Sequence, residues 1–402
     1  MNGPAPTAPS QPLLQIAKPD PRASFTARVK LLAAECGLAV SAITSAEPFD
    51  GLAERVSAHI DAGHLDGLDW YTKERGQIAS DVRNLHPTAQ SILSVGINYW
   101  PGATEKPDDG IARGRISRYA WGRDYHRVIK RRLKLLHTRL EEHVGHPVEA
   151  RTLVDTARIV ERAVAARSGL GWFGKNACII SPGFGSWLLL GELIVDLDLV
   201  PDEPIDKHCG RCTFCLDRCP TGAIVAPFTI DAPRCISFLT IEERGPIPHD
   251  LRPKMGDWVY GCDVCQEVCP YTGNATIAND PDLMPASLDN AWPSLHWLLR
   301  MTEEEFGATY FGTPVPRTKR RGLARNAAIA IGNTGTDEDI SVLIEVLETH
   351  DEPLVRGHAA WALGRLGGRT ARLALERART GDPDETVRAE VDCAWEMPTR
   401  TV

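Results

Sequence analysis

A chain of 402 residues can hold two or three domains, and 43% apolar with 24% charged residues is the balance of an ordinary soluble globular protein. No apolar run reaches the roughly eighteen residues that a membrane-spanning helix needs, so no membrane partner is expected. A net charge of −8 argues against a general nucleic-acid binder.

The first segment, MNGPAPTAPSQPLLQIAKPDPRAS, is rich in Pro, Ala and Ser. It lacks a basic start followed by an apolar core, so residues 1–24 read as a disordered tail and not as a signal peptide; the cytoplasm is the expected location. Residues 25–200 alternate amphipathic and short apolar segments. FTARVKLLAAECG has helical period, AQSILSVGINYW reads as a buried strand, YHRVIKRRLKLLHTRLEEHVG is a long amphipathic helix, and SWLLLGELIVDLDL is strand-rich core. The alternation predicts an α/β domain.

Inside that domain, VDTARIVERAVAARSGLGWFGKNACII carries Asp155, Glu161, Arg162 and Arg167, a Gly-rich turn, and Lys175 with Asn176. A carboxyl buried against an apolar wall has a raised pKa and can deliver a proton, which makes Asp155 a candidate acid. A helix N-cap is the structural alternative for Asp155, since a helix-like run follows it. GLGWFGKN lacks the GK[ST] spacing of a phosphate loop.

Residues 201–280 are rich in Cys, Pro and Gly and predict an α+β ferredoxin-like unit. Of the eleven cysteines, eight fall between Cys209 and Cys269. In a reducing compartment such clustered thiols bind metal more often than they pair. CGRCTFCLDRCP is the C-x2-C-x2-C-x3-C-P run of bacterial ferredoxins. There the first three thiolates hold one cubane and the fourth crosses to another. GCDVCQEVCP supplies the second run without its first member, and Cys235 is the substitute. The crossing rule assigns Cys209, Cys212, Cys215 and Cys269 to one 4Fe–4S cluster, and Cys219, Cys235, Cys262 and Cys265 to the other. Paired zinc sites are the alternative, and two successive Cys-Pro endings fit them poorly. Cys36, Cys178 and Cys393 read as scattered small hydrophobes.

Residues 281–402 read as a linker and all-α HEAT-like repeats. ARNAAIAIGNTG from Ala324 is echoed by RGHAAWALGRLG from Arg356, an offset of 32, and VRAEVDCAW echoes VRGHAAW at the same offset. Charge is unevenly spread: Arg113 to Arg139 contains ten Lys or Arg and one Asp, and PRTKRRGLAR forms a second basic knot. Two such runs on an acidic chain suggest a local polyanion site.

Taken in order, ISRYAWGRDYH, VDTARIVERAVAARSGLGWFGKN, CGRCTFCLDRCPTGAI, RCISFLT, YGCDVCQEVCP and the repeat tail resemble the epoxyqueuosine reductases over about residues 25–370. The resemblance implies a cobalamin and iron–sulfur oxidoreductase related to the reductive dehalogenases. It would perform the last step of queuosine synthesis, removing the epoxide oxygen from epoxyqueuosine in the anticodon loop of tRNA. The implied cofactors are two 4Fe–4S clusters and a base-off cobalamin, with Asp155 as proton donor. The implied partners are tRNA and a low-potential electron donor, and a monomer is expected. Neighbouring family motifs place Arg83, Ser117, Asp155, Lys175, Asn176, Ile179, Leu190, Ser237 and Asp263 at the cobalamin. Ser117 stands where some members carry a cysteine near cobalt. Asp124-Tyr125-His126 begins the Asp-x-His-x-x-Gly signature of other cobalamin proteins, but Ile129 replaces the Gly, so His126 reads as structural. The basic knot supplies Arg317, Lys319, Arg320, Arg321 and Arg325 for tRNA. Two other functions compete: a reductive dehalogenase acting on a small molecule, whose usual export signal is missing here, and a pure electron-transfer module.

Overall fold

The computed structural model describes residues 20–397. A helix, Pro21–Glu35, opens the N-terminal domain; Asp20 caps it by accepting from the Arg22 N–H, and proline suits its first turn. Residues 21–24, expected as tail, are therefore helical, and residues 1–19 lie outside the described residues.

Four strands form the domain's sheet, in the order Val40–Ser45, Ser91–Asn98, Leu188–Val195, Ala150–Leu153. Every pairing is antiparallel, which corrects the α/β expectation to an α+β arrangement. Ser91–Asn98 is buried at every position, the pattern of a parallel core strand, because helices cover both faces. Alternate residues enter opposite cores: Leu93, Val95 and Ile97 pack with the helix Tyr125–Val144, while Ile92 packs with Val164 of the helix Glu161–Arg167. The first contact is close: a Cβ at Gly191 would sit 2.6 Å from Ile129 Cγ2.

Residues 201–280 contain short helices, Phe214–Arg218 and Val264–Glu267, and a small hairpin. This unit is stitched to the first domain, since Trp258–Tyr260 pairs in parallel with Arg115–Ile116. Three helices spaced by the repeat offset, Lys319–Thr334, Pro353–Leu366 and Glu385–Glu396, pack in a row, with Ile340–Thr349 and Gly368–Gly381 between them. The first is buried on nearly every side, because it also packs on the cysteine-rich unit. The Arg325 guanidinium donates to the carbonyls of Leu239 (2.8 Å), Glu243 (2.9 Å) and Gly245 (2.8 Å). Asn326 donates to Thr240 O (2.9 Å) and Val259 O (2.8 Å). The repeats and the cysteine-rich unit thus share one core and one polar bolt.

Candidate functional site

The thiols fall into two groups. Cys209, Cys212, Cys215 and Cys269 line one cavity of about 210 Å³, together with Phe214 and Tyr271. In the other group, Cys235 lies in the field of Cys219, Cys262 in that of Cys235 and Cys219, and Cys265 in that of Cys262 and Cys235. Burial pushes the thiols of Cys235 and Cys262 up, so they resist ionisation until a positive centre arrives. Among the described residues no three His, Cys, Asp or Glu converge on a single-ion site. Thiols spread around a cavity suit a polynuclear cluster better than one zinc ion. Cys178, read as a scattered hydrophobe, instead lies beside Cys265, whose thiol holds the Cys178 pKa down.

Two larger cavities adjoin, of about 910 Å³ and 310 Å³, and both are lined by Trp70, Arg75, Tyr125 and Asp155. Ser237, His126 and Arg317 line the larger; Ile179, Leu190, Glu161, Cys178 and Gln266 line the smaller. Of the residues expected at the cobalamin, Asp155, Ile179, Leu190 and Ser237 are brought together here. The others lie outside these two cavities. Lys175 Nζ donates to Gly210 O (2.8 Å) and Cys212 O (2.9 Å), and Asn176 donates to Cys265 O (3.3 Å), so both brace the cysteine loops. Arg83 pairs with Glu47 at 2.8 Å on the outside. Buried Ser117 donates to Asp263, which also accepts from Arg118 N and Nη1, each at 2.9 Å. Asp263 and Ser117 thereby pin the Cys262–Cys265 loop to the first domain.

Asp155 follows the strand Ala150–Leu153 in a left-handed turn, φ +46°. The next helix starts after Val160, so Asp155 does not cap it. Its Oδ2 accepts from Tyr125 Oη (2.8 Å) and His126 Nε2 (2.9 Å), and its N–H donates to Glu161 Oε1. His126 Nδ1 meets Asp124 Oδ1 at 2.7 Å. The raised pKa expected of Asp155 is not found. Burial pushes it up, but the hydrogen bonds from His126 and Tyr125 outweigh that and hold it below the usual carboxylate value. Burial pushes His126 down, yet its bonds to Asp124 and Asp155 raise it to about 9. Behind this pair, burial and the Asp155 charge push Glu161 up to about 7. The fully buried Glu192 is raised by burial first, and its carboxyl oxygens have no hydrogen-bond partner. His126, read as structural, is therefore part of the site; the Asp-Tyr-His triplet at the start of a helix was its signal.

The basic runs divide by burial. Lys319 and Arg321 are exposed, and Arg317 is half exposed at the cavity, pairing with Glu242. Arg320 and Arg325 are corrections to the tRNA set. Arg320 is buried between Glu303 (3.0 Å) and Asp351 (2.5 Å), and Arg325 is the bolt described above. In the run from Arg113 to Arg139, seven arginines are held in ion pairs: 113, 115, 118, 123, 131, 132 and 139. That run is structural more than it is a polyanion surface.

Residues 80–156 match the family model described as epoxyqueuosine reductase QueG, DUF1730. Residues 208–272 match a 4Fe-4S double cluster binding domain, and residues 319–393 match HEAT repeats. The epoxyqueuosine reductase of Xanthomonas campestris pv. campestris is 39% identical over 360 residues, covering 88% of this chain and 99% of that protein. The chain belongs to the epoxyqueuosine reductase family. A crystal structure of an epoxyqueuosine reductase with a tRNA-Tyr epoxyqueuosine-modified stem loop is 33% identical, has a TM-score of 0.86, and covers 92% of this chain and 98% of that one. A Bacillus subtilis epoxyqueuosine reductase structure, 32% identical with TM-score 0.86 and the same coverage, has its catalytic aspartate loop swung out of the active site. No helix among the described residues is long and apolar enough to cross a membrane.

Proposed function

We propose that this chain reduces epoxyqueuosine to queuosine in the anticodon loop of tRNA, with electrons carried by two 4Fe–4S clusters to a base-off cobalamin. The observation that carries the chemistry is Asp155, held by Tyr125 and His126 in the wall shared by the two large cavities. The cavities suit a corrin: Ile179 and Leu190 offer an apolar wall, Ser237 a polar one, and Cys178 links the smaller cavity to Cys265. Bound there, cobalamin would supply a low-potential, nucleophilic metal centre. The first cluster takes Cys209, Cys212, Cys215 and Cys269, and the second Cys219, Cys235, Cys262 and Cys265. An external low-potential donor would supply the electrons.

The protein's own part is the proton. Oxygen lost from the epoxide leaves as water and must be protonated. The Asp155–His126 pair lines the cavity and supplies a proton: at neutral pH it rests on His126 Nε2, hydrogen-bonded to Asp155 Oδ2, and Asp155 takes it only as it passes to the departing oxygen. Asp124 fixes the imidazole from behind. Exposed Lys319 and Arg321, with Arg317 at the cavity, meet the tRNA backbone, so binding falls with salt. The target base is splayed out of its loop to enter. Mass analysis of tRNA nucleosides before and after incubation with reduced, cobalamin-loaded enzyme tests this reading: conversion of epoxyqueuosine to queuosine supports it, and unchanged nucleosides overturn it.

A further inference from the structure

Phe311 is 80% exposed, the most of the large apolar side chains among the described residues, with Ile277 next at 66%. A phenylalanine left in water costs apolar hydration and asks for a reason. It does not sit on a slack loop. Asp124 N donates to Gly312 O at 2.7 Å, Tyr260 Oη donates to Pro314 O at 2.7 Å, and Thr313 Oγ1 donates to Tyr310 O at 2.8 Å. The neighbouring Tyr310 and Phe306 turn inward and are buried, their rings tilted against each other at 5.6 Å. The backbone therefore holds Phe311 outward, tied through Asp124 to the helix that presents Tyr125 and His126.

A second aromatic lines the same cavity. Trp70 is 45% exposed, and the Arg75 guanidinium lies 4.9 Å from its ring centroid. Arg75 also donates to Thr156 O (3.2 Å), next to Asp155. Both rings are thus mechanically linked to the turn that carries the acid. Arg127 and Arg317 line the same cavity and give it a cationic edge, Arg317 being paired with Glu242.

We propose that Phe311 and Trp70 are stacking platforms for the unpaired loop nucleotides flanking the modified base, a clamp that holds the opened loop over the cavity. The inference rests on the tRNA reading above. An extruded nucleotide leaves its neighbours unstacked, and any base offers a face to an aromatic ring. Cationic groups beside the rings serve the phosphates of the same nucleotides.

The test uses the cobalamin-loaded, cluster-loaded full chain and a synthetic anticodon stem loop carrying epoxyqueuosine. Phe311→Ala and Trp70→Ala should each weaken stem-loop binding by about 5- to 150-fold, the usual effect of losing one stacked base, with the loss falling on KM more than on kcat. Phe311→Tyr, which keeps the ring, should restore binding to within about threefold. A stem loop made abasic beside the modified nucleotide should bind wild type and Phe311→Ala alike. Unchanged affinity in Phe311→Ala, or equal loss in Phe311→Tyr, overturns the clamp. Failure of the wild type to reduce the stem loop at all overturns the functional reading instead.

Discussion

His126 Nε2 and Asp155 Oδ2 lie 2.9 Å apart, and Asp124 holds the far side of the same imidazole at 2.7 Å. An aspartate whose pKa is held down is a poor acid by itself. Coupled to a histidine raised to about 9, it belongs to a pair that keeps one proton at neutral pH, and in the proposed function it would be that pair's outlet.

That coupling sets a pH dependence. His126 is protonated below about pH 9 and loses its proton as pH rises through that value, so the proton supply is present on the acid side and lost on the alkaline side. Turnover should therefore fall above about pH 9. His126→Asn should lower turnover by about 10-fold or more and remove that alkaline limb. A rate–pH profile of both proteins is the measurement, and an unmoved limb would assign it elsewhere.

Asp155→Asn should lower queuosine formation by about 10²-fold at matched cofactor loading, the usual effect of losing a positioned acid. Asparagine tolerates the left-handed turn, so the loop should survive, and stem-loop affinity and iron content should hold. Rates near wild type would leave water as the donor.

Glu161 accepts the Asp155 N–H and so latches the turn. Glu161→Gln keeps an acceptor oxygen and should keep turnover within about threefold. Glu161→Ala leaves that N–H without its partner, at a cost of about 1–3 kcal/mol, and should speed exchange of the Asp155 amide and lower kcat. Amide exchange by mass spectrometry distinguishes the two variants.

The two exposed basic residues and the two buried ones should part company. Lys319→Glu with Arg321→Glu should weaken tRNA binding and lower its salt slope by about two, one for each phosphate contact. Arg325→Ala should instead cost about 2–5 kcal/mol of stability, because three carbonyls lose their donor in a buried seam. Binding isotherms at several salt concentrations and thermal unfolding separate these effects.

Iron should reach about eight atoms per anaerobic chain. Cys219→Ser should disturb the cluster held by Cys235, Cys262 and Cys265, although Cys219 stands in the motif of the other. Electron paramagnetic resonance of the reduced variant would show which cluster signal is lost.

The two cysteine groups seen in the structure were legible in the sequence through the crossing rule of the ferredoxin run, with Cys235 standing in for the missing first member of the second run. Strand direction was not, since an apolar run such as SILSVGIN reads the same whichever way its neighbours travel. Asp155 was legible through motif resemblance, but its charge state was not: the lowering comes from Tyr125 and His126, thirty and twenty-nine residues away in the chain. Arg320 and Arg325 misled for a related reason. A basic knot normally faces water, but this helix is enclosed on both sides, so its cations were drawn into carboxylates and carbonyls. Cys178 was passed over because a lone thiol carries no spacing signal.

The seam closed by Arg325 and Asn326 has a consequence for substrate choice. It ties the repeats to the cysteine-rich unit, and Ser117 with Asp263 ties that unit to the domain of Asp155, so the exposed Lys319 and Arg321 are joined to Asp155 through two packed seams. Under the proposed function the enzyme would behave as a caliper with its jaws locked. If the repeats grip an RNA hairpin as proposed, it would reach Asp155 only where its stem and loop match the span set by those seams, so the length of the hairpin would be measured before any base is read.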